Sequence, residues 1–310
     1  MDIPGDTGLD HTRAFLSDGY RFISRRCERY GSDIFETRLT LRRAYCMMGE
    51  EAARTFYHPG RFTRRGALPP ATVQLLQDKG SVQLQDGEAH RRRKAMFMSL
   101  MTPEALRRAA DLMDEEWRIS LGQWAVREEV ALHEEVEEIL CRAASRWVGI
   151  PLAESEARER TKQIAAMIDD AGSVGRRNWR GRRRRTRTER WLRDIVQRVR
   201  RIELQLPESS AAYIIAWYRD LYGRLLDSEI AAVEILNVLR PTVAVARFVT
   251  FAALALHEHP ETRRRLETGD EDYLQWFVQE VRRYYPFFPA IGGRALEAFE
   301  WRGYRFRKGT

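Results

Sequence analysis

From Asp227 to His257 the chain is almost entirely apolar helix-formers, yet it carries Arg240 and Pro241 at its middle. A run of that length is too apolar for a surface helix, so it predicts a central, buried helix around which the rest of the chain packs. Proline supplies no N–H and crowds the preceding turn, so the Asn237 carbonyl is expected to lose its partner and the helix to kink there. Arg240 falls at the same spot. A guanidinium keeps its proton at neutral pH, and if buried it needs an anion. Two partners meet that need: a protein carboxylate in a salt bridge, or the carboxylate of a bound substrate gripped by two N–H groups.

Helical spacing of apolar residues also marks Glu104 to Trp124, Leu132 to Val148, Leu152 to Ile168, Glu189 to Leu204, Ala211 to Leu226 and Asp272 to Tyr285. Beyond Pro286 the period changes to alternation in Ala295 to Trp301 and Tyr304 to Lys308, with Arg302-Gly303 between them, which is a β-hairpin pattern. The expected fold is mainly α with a small β-hairpin. No repeat or Pro/Ser-rich linker divides residues 1–310, which predicts a single domain. A globular chain rarely stops directly after a hairpin, so Lys308-Gly309-Thr310 reads as a truncation point and the fold as incomplete at its C-terminus.

With 44% hydrophobic and 32% charged residues the chain is globular and soluble in composition. Its longest apolar stretch, Thr242 to Leu256, is interrupted by Arg247 and falls short of the roughly 20 residues that cross a bilayer, so no integral membrane association is expected. The N-terminus lacks the basic and apolar regions of a secretory signal, and the expected location is cytoplasmic. Cys27, Cys46 and Cys141 are odd in number and without CxxC pairing, which excludes a disulfide framework or zinc cluster; His257 and His259 fit a helix end better than a metal site.

The net charge of +8 is local in origin. Gly175 to Arg201 holds thirteen arginines against Glu189 and Asp194, a net +11, leaving the remainder near −3. Such a run reads as a loop, either a solvated face or a grip for phosphates or anionic lipid.

Two further constellations carry chemistry. Gln83 precedes Asp86-Gly87-Glu88-Ala89-His90, in which Asp86 is a fair N-cap and His90 and Lys94 project from one helical face as a pair of cations able to hold an anionic cofactor. Glu280 and Arg283 stand at i,i+3 and can pair within one helix before Tyr285-Pro286 ends it.

In order along the chain, QDGEAHRRRKAMFMSLMTPEALRRAADLMDEEW, EILCRAASRWVGIPL, NWRGRRRR, EILNVLRPTVAVARF with ALALHEHP, and FVQEVRRYYPFFP resemble the bacterial fatty-acid peroxygenases of the cytochrome P450 superfamily. The similarity covers most of the chain. It implies a P450-like helical fold, haem b as cofactor, hydrogen peroxide as co-substrate, and hydroxylation of long-chain fatty acids at Cα or Cβ, with no reductase and no nucleic-acid partner. Arg240 with Pro241 then becomes the substrate-carboxylate anchor, replacing the acid and threonine with which ordinary monooxygenases protonate iron-bound oxygen. The anchored carboxylate itself serves as general acid and base. Gln83 matches a polar residue of the distal pocket, where relatives that decarboxylate carry histidine. Arg64, His90 and Lys94 match contacts to the haem propionates, and Glu280 with Arg283 the superfamily's structural ion pair.

Two departures stand out. Gln77 replaces a phenylalanine of a relative, and the F-x-x-G-x-x-x-C-x-G segment that supplies the iron ligand is absent, so no metal ligand is assigned and the chain as given reads as an inactive N-terminal three-quarters of such an enzyme. A competing class is a non-catalytic helical protein that uses the arginine-rich segment on nucleic acid or anionic lipid.

Overall fold

The computed structural model describes residues 3–77 and 80–310, which group into two compact units. The smaller comprises residues up to 73, 83–87 and 288–310; the larger comprises 74–82 and 88–287.

In the smaller unit, α1 (Thr12–Asp18) and α2 (Phe22–Tyr30) pack on an antiparallel hairpin of β1 (Ile34–Leu39) and β2 (Arg42–Met47). Phe22, Cys27, Phe35 and Cys46 form its core. The hairpin turns through Thr40 and Leu41, both in the left-handed region at φ 54° and 62°. That pair of positive φ values defines the tight turn matched to strand twist, ordinarily built with Asn and Gly. Next come α3 (Glu50–Phe56) and β3 (Phe62–Thr63), which pairs with β4 (Arg294–Ala295). The expected C-terminal hairpin is present as β5 (Phe299–Trp301) and β6 (Tyr304–Phe306), turning at Arg302 and Gly303. Its first strand is shorter than Ala295 to Trp301 because Ala295 belongs to the β3 pairing.

The larger unit takes in the last turn of α4 (Pro70–Leu76) and then α5 (Gly87–Ser99), α6 (Pro103–Trp124), α7 (Leu132–Val148), α8 (Glu154–Asp169), α9 (Arg176–Arg200), α10 (Ala211–Ala216), α11 (Ser228–Ala244), α12 (Ala246–Glu258), α13 (Pro260–Glu267) and α14 (Glu271–Tyr284). Local chemistry sets several boundaries. Thr102 Oγ1 accepts from Ala105 N and Pro103 occupies the first turn of α6, while Asp270 caps α14 through Tyr273 N. Gly149 ends α7 at φ +88°, where a Cβ would meet Ser210 at 2.6 Å, so only glycine fits.

The long apolar helix is central as expected: every residue from Ala231 to Arg240 is buried, and α11 packs against α7, α8, α9 and α10. Leu236, Ile235, Ile164, Ile195, Ile215 and Cys141 join one continuous core there. Helix α12 differs. Its aromatic side chains are half-buried, Phe248 stacking on Phe287 and Phe251 on Tyr285 at 4.7 Å between centroids.

The structure adds to or revises four expectations. The irregularity expected at Pro241 shows as an interruption a turn later: α11 continues through Pro241 to Ala244, and the interruption falls at Val245. Counted through that interruption, Ser228 to Glu258 is a 31-residue helix, long and apolar enough by length and composition to cross a membrane, although its first half is the core of the larger unit. The arginine-rich segment is no loop; it is the 25-residue α9, with Asn178, Gly181, Arg185, Thr188 and Leu192 on its inner face. Gly181 lets α8 and α9 approach, since a Cβ there would lie 2.9 Å from Asp170 Cβ. Finally, the helix expected over Ala211 to Leu226 ends at Ala216. Asp220 then folds the chain back by accepting from the backbone N–H of Tyr222 and Arg224.

Candidate active site

Three polar residues one turn apart, Glu234, Asn237 and Arg240, run up the inside of α11. Arg240 is only 6% exposed, and its Nη2 donates to Asn237 Oδ1 at 3.0 Å while Nη1 donates to the Leu75 carbonyl at 3.4 Å. Among the described residues no carboxylate lies within salt-bridge reach of it. Burial, with repulsion from Arg185, pushes its pKa down to about 9, so it remains a cation at neutral pH.

Asn237 has two faces. Its Oδ1 serves Arg240 and its Nδ2 donates to Glu234 Oε2 at 2.8 Å. Fully buried Glu234 in turn accepts from Arg93 of α5 and from Val82 N at 3.0 Å. Burial raises the Glu234 pKa, opposed by the hydrogen bonds from Asn237, Arg93 and Val82 N. Arg185 of α9, also buried, donates to the carbonyls of Leu75 (2.6 Å) and Gln77 (3.4 Å) and pairs with Glu189. The Leu75 carbonyl thus receives two guanidiniums. The result is a dry polar strand in the core where, among the described residues, Arg93 has a carboxylate of its own and Arg240 reaches one through an amide.

The other expected residues are placed as follows. Pro241 follows Arg240 within α11. Gln83 is half-buried in a single helical turn, Val82–Leu84, and belongs to the smaller unit, as does Arg64, which follows β3. His90 and Lys94 sit four apart on α5, half-buried and exposed respectively, and among the described residues neither makes a hydrogen bond or ion pair through its side chain. Asp86 stands directly before α5, with its carboxylate accepting from Thr63 Oγ1 at 3.0 Å and 3.4 Å from Arg65 Nε. Glu280 and Arg283 form a two-pronged pair at 2.6 and 2.7 Å within α14, both exposed. Gln77 is buried, and its Oε1 has no partner.

Glu234, Asn237 and Arg93 were not singled out from sequence, although a polar residue at every third position of an otherwise apolar helix was the available sign. The shallow depression lined by Asp33, Met48, Trp301 and Arg302 in the smaller unit includes none of the expected residues.

The residues fit a haem only in part. The nitrogen donors of His90 and Lys94, four apart on α5, suit the carboxylates of such a group. No thiol suits its iron: Cys27, Cys46 and Cys141 are all buried in cores, burial pushing Cys46 up to about 12 and Cys141 up to about 11, so each stays a protonated thiol. His133, Glu137 and Asp169 bring three candidate metal-binding atoms within 4.8 Å of one another, but Arg247 lies 2.7 Å from Asp169 and His133 Nδ1 meets Thr250 Oγ1 at 2.8 Å. That cluster is already internally paired.

No family model matches the chain. Among solved structures, it is similar to cytochrome P450EX alpha (CYP152N1) with myristic acid, at 42% identity and a TM-score of 0.92, covering 100% of this chain and 74% of that one. Cytochrome P450SP alpha (CYP152B1), in complex with (R)-ibuprophen, matches at 45% identity and 0.93, over 97% of this chain and 74% of that one. A variant of cytochrome P450 OleT in complex with arachidonic acid matches at 31% and 0.95, again over 100% and 74%. Identity at that level over the whole length, with the same helical fold, makes the chain a member of the CYP152 family of fatty-acid peroxygenases in the cytochrome P450 superfamily.

Proposed function

We propose that Arg240 holds the carboxylate of a long-chain fatty acid for peroxide-dependent hydroxylation at Cα or Cβ. The observation that carries this reading is a buried guanidinium that, among the described residues, has two neutral hydrogen-bond partners and no carboxylate of its own. A cation so placed gains more from an arriving anion than a solvated one, because it has already lost its water. Fatty acids bound to two of the similar structures agree with that choice of anion.

In this reading Asn237 aims the guanidinium, and Glu234 with Arg93 holds Asn237 in one orientation. The bound carboxylate, clamped by Arg240, is the acid–base group of the reaction, since α11 carries no exposed acid beside Arg240. Gln83 lines the distal side and favours hydroxylation over decarboxylation, Pro241 shapes the wall beside the anchor, and Arg64, His90 and Lys94 bind the propionates of haem b. Haem b supplies the peroxide chemistry when bound, with an iron ligand other than Cys27, Cys46 or Cys141. Glu280 and Arg283 support the fold. Neither a reductase nor NADPH takes part, and the setting is cytoplasmic.

Calorimetric titration with myristic acid tests the anchor. Wild type should bind, Arg240→Lys should bind more weakly through loss of the two-pronged grip, and Arg240→Met should lose about 3 kcal/mol, roughly a hundredfold. Equal affinity in all three would sink the reading.

A further inference from the structure

The outer face of α9 presents a row of arginines at helical spacing: Arg176, Arg180, Arg183, Arg187 and Arg190. At 1.5 Å per residue the row is about 21 Å long. Many arginines elsewhere on this surface meet an acid, as Arg107 does Glu104 and Arg263 does Glu267. Among the described residues, Arg176, Arg183, Arg187 and Arg190 have no carboxylate partner, and Arg180 reaches Asp170 only at 3.6 Å. The row is therefore an uncompensated positive stripe.

Its N-terminal end is also apolar. Trp179 is 57% exposed within the stripe, with Arg183 lying 4.7 Å over its ring, and Val174 in the preceding turn is 74% exposed. An exposed indole and a branched aliphatic among cations suit the boundary between lipid headgroups and acyl chains, where Trp partitions and Arg meets phosphate. A polynucleotide would meet the arginines and stack on the indole but give Val174 no apolar environment. The stripe is a single convex row, which suits a flat sheet of charge.

We propose that this face of α9 docks the protein reversibly on anionic phospholipid bilayers. The inference rests on the helix face alone and stands whether or not Arg240 anchors a fatty acid.

Flotation of the full chain with vesicles tests it. Wild type should float with phosphatidylcholine vesicles containing about one-third phosphatidylglycerol, stay behind with pure phosphatidylcholine, and be released as salt rises. Trp fluorescence should shift to the blue on the anionic vesicles. The triple variant Arg183→Glu, Arg187→Glu, Arg190→Glu should lower the partition coefficient at least about tenfold, whereas the equally charged Arg29→Glu, Arg108→Glu, Arg264→Glu, at exposed sites elsewhere, should retain most of it. Trp179→Ala should weaken binding to vesicles while leaving binding to inorganic polyphosphate unchanged. Three results would overturn the proposal: no flotation of wild type, equal loss in both triple variants, or an RNA or DNA oligonucleotide that displaces the vesicles and binds more tightly than they do.

Discussion

Arg93 and Arg240 are both buried, both within the larger unit, and linked through the same two residues, yet they are solved differently. Arg93 has Glu234 directly; Arg240 has Asn237 in between. A paired buried charge is a closed account, structurally inert unless one partner is removed. An unpaired one is a standing demand for an anion, tolerated because carbonyl and amide oxygens partly replace the lost water. The contrast teaches where to look for ligand chemistry in a core full of arginine: at the cation that neighbours orient without neutralising.

The contrast is sharpest in stability. Arg93→Met should cost about 3–5 kcal/mol in denaturant unfolding, because it strands Glu234, and adding Glu234→Leu should recover most of the loss. Arg240→Met should leave unfolding stability unchanged or slightly raised while removing fatty-acid affinity; a loss as large as that of Arg93→Met would make Arg240 structural and break the comparison. The pH dependence comes next. Binding needs the charged guanidinium, whose pKa the folded core lowers to about 9, so myristate affinity should hold from neutral pH to about 9 and fall above it. A flat affinity to pH 11, about two units higher, would contradict the coupling. Asn237→Ala should cost about 1–2 kcal/mol of stability and weaken myristate binding modestly, since it loosens both neighbours at once. Smallest of all, Glu280→Gln should lower the thermal midpoint only slightly, because that pair, though it supports the fold, is solvated at 59% and 68% side-chain exposure.

Much of this was legible in the residues. The 3.6 period located α6, α7, α8 and α14 to within a residue or two, because each buries one apolar stripe and little else decides its limits. Arg240 was visible as a charge in the wrong place. Glu234 and Asn237 lay in the same apolar run, but Arg93, their partner across 141 positions of sequence, sat among three other cations and could not be told from a surface charge. The inner face of α9 was hidden for a related reason. Its buried positions are filled by Asn178, Gly181, Arg185 and Thr188, which carry no hydrophobic signature, so the helix read as a loop. The β1–β2 hairpin escaped because Thr40 and Leu41 adopt a turn that normally announces itself with glycine, as Arg302-Gly303 does. At Pro241 the local rule was off by a turn: α11, packed against four helices, stays helical through the proline and is interrupted at Val245.

The placement of the three thiols has a practical corollary. Cys27 and Cys46 lie in the core of one unit and Cys141 in the core of the other, all three buried in the native state. Alkylation is therefore silent until a core opens, and which cysteine reacts first names the unit that opened. Mass spectrometry of a chain pulsed with iodoacetamide would read two local melting curves from a single sample, with no label engineered in.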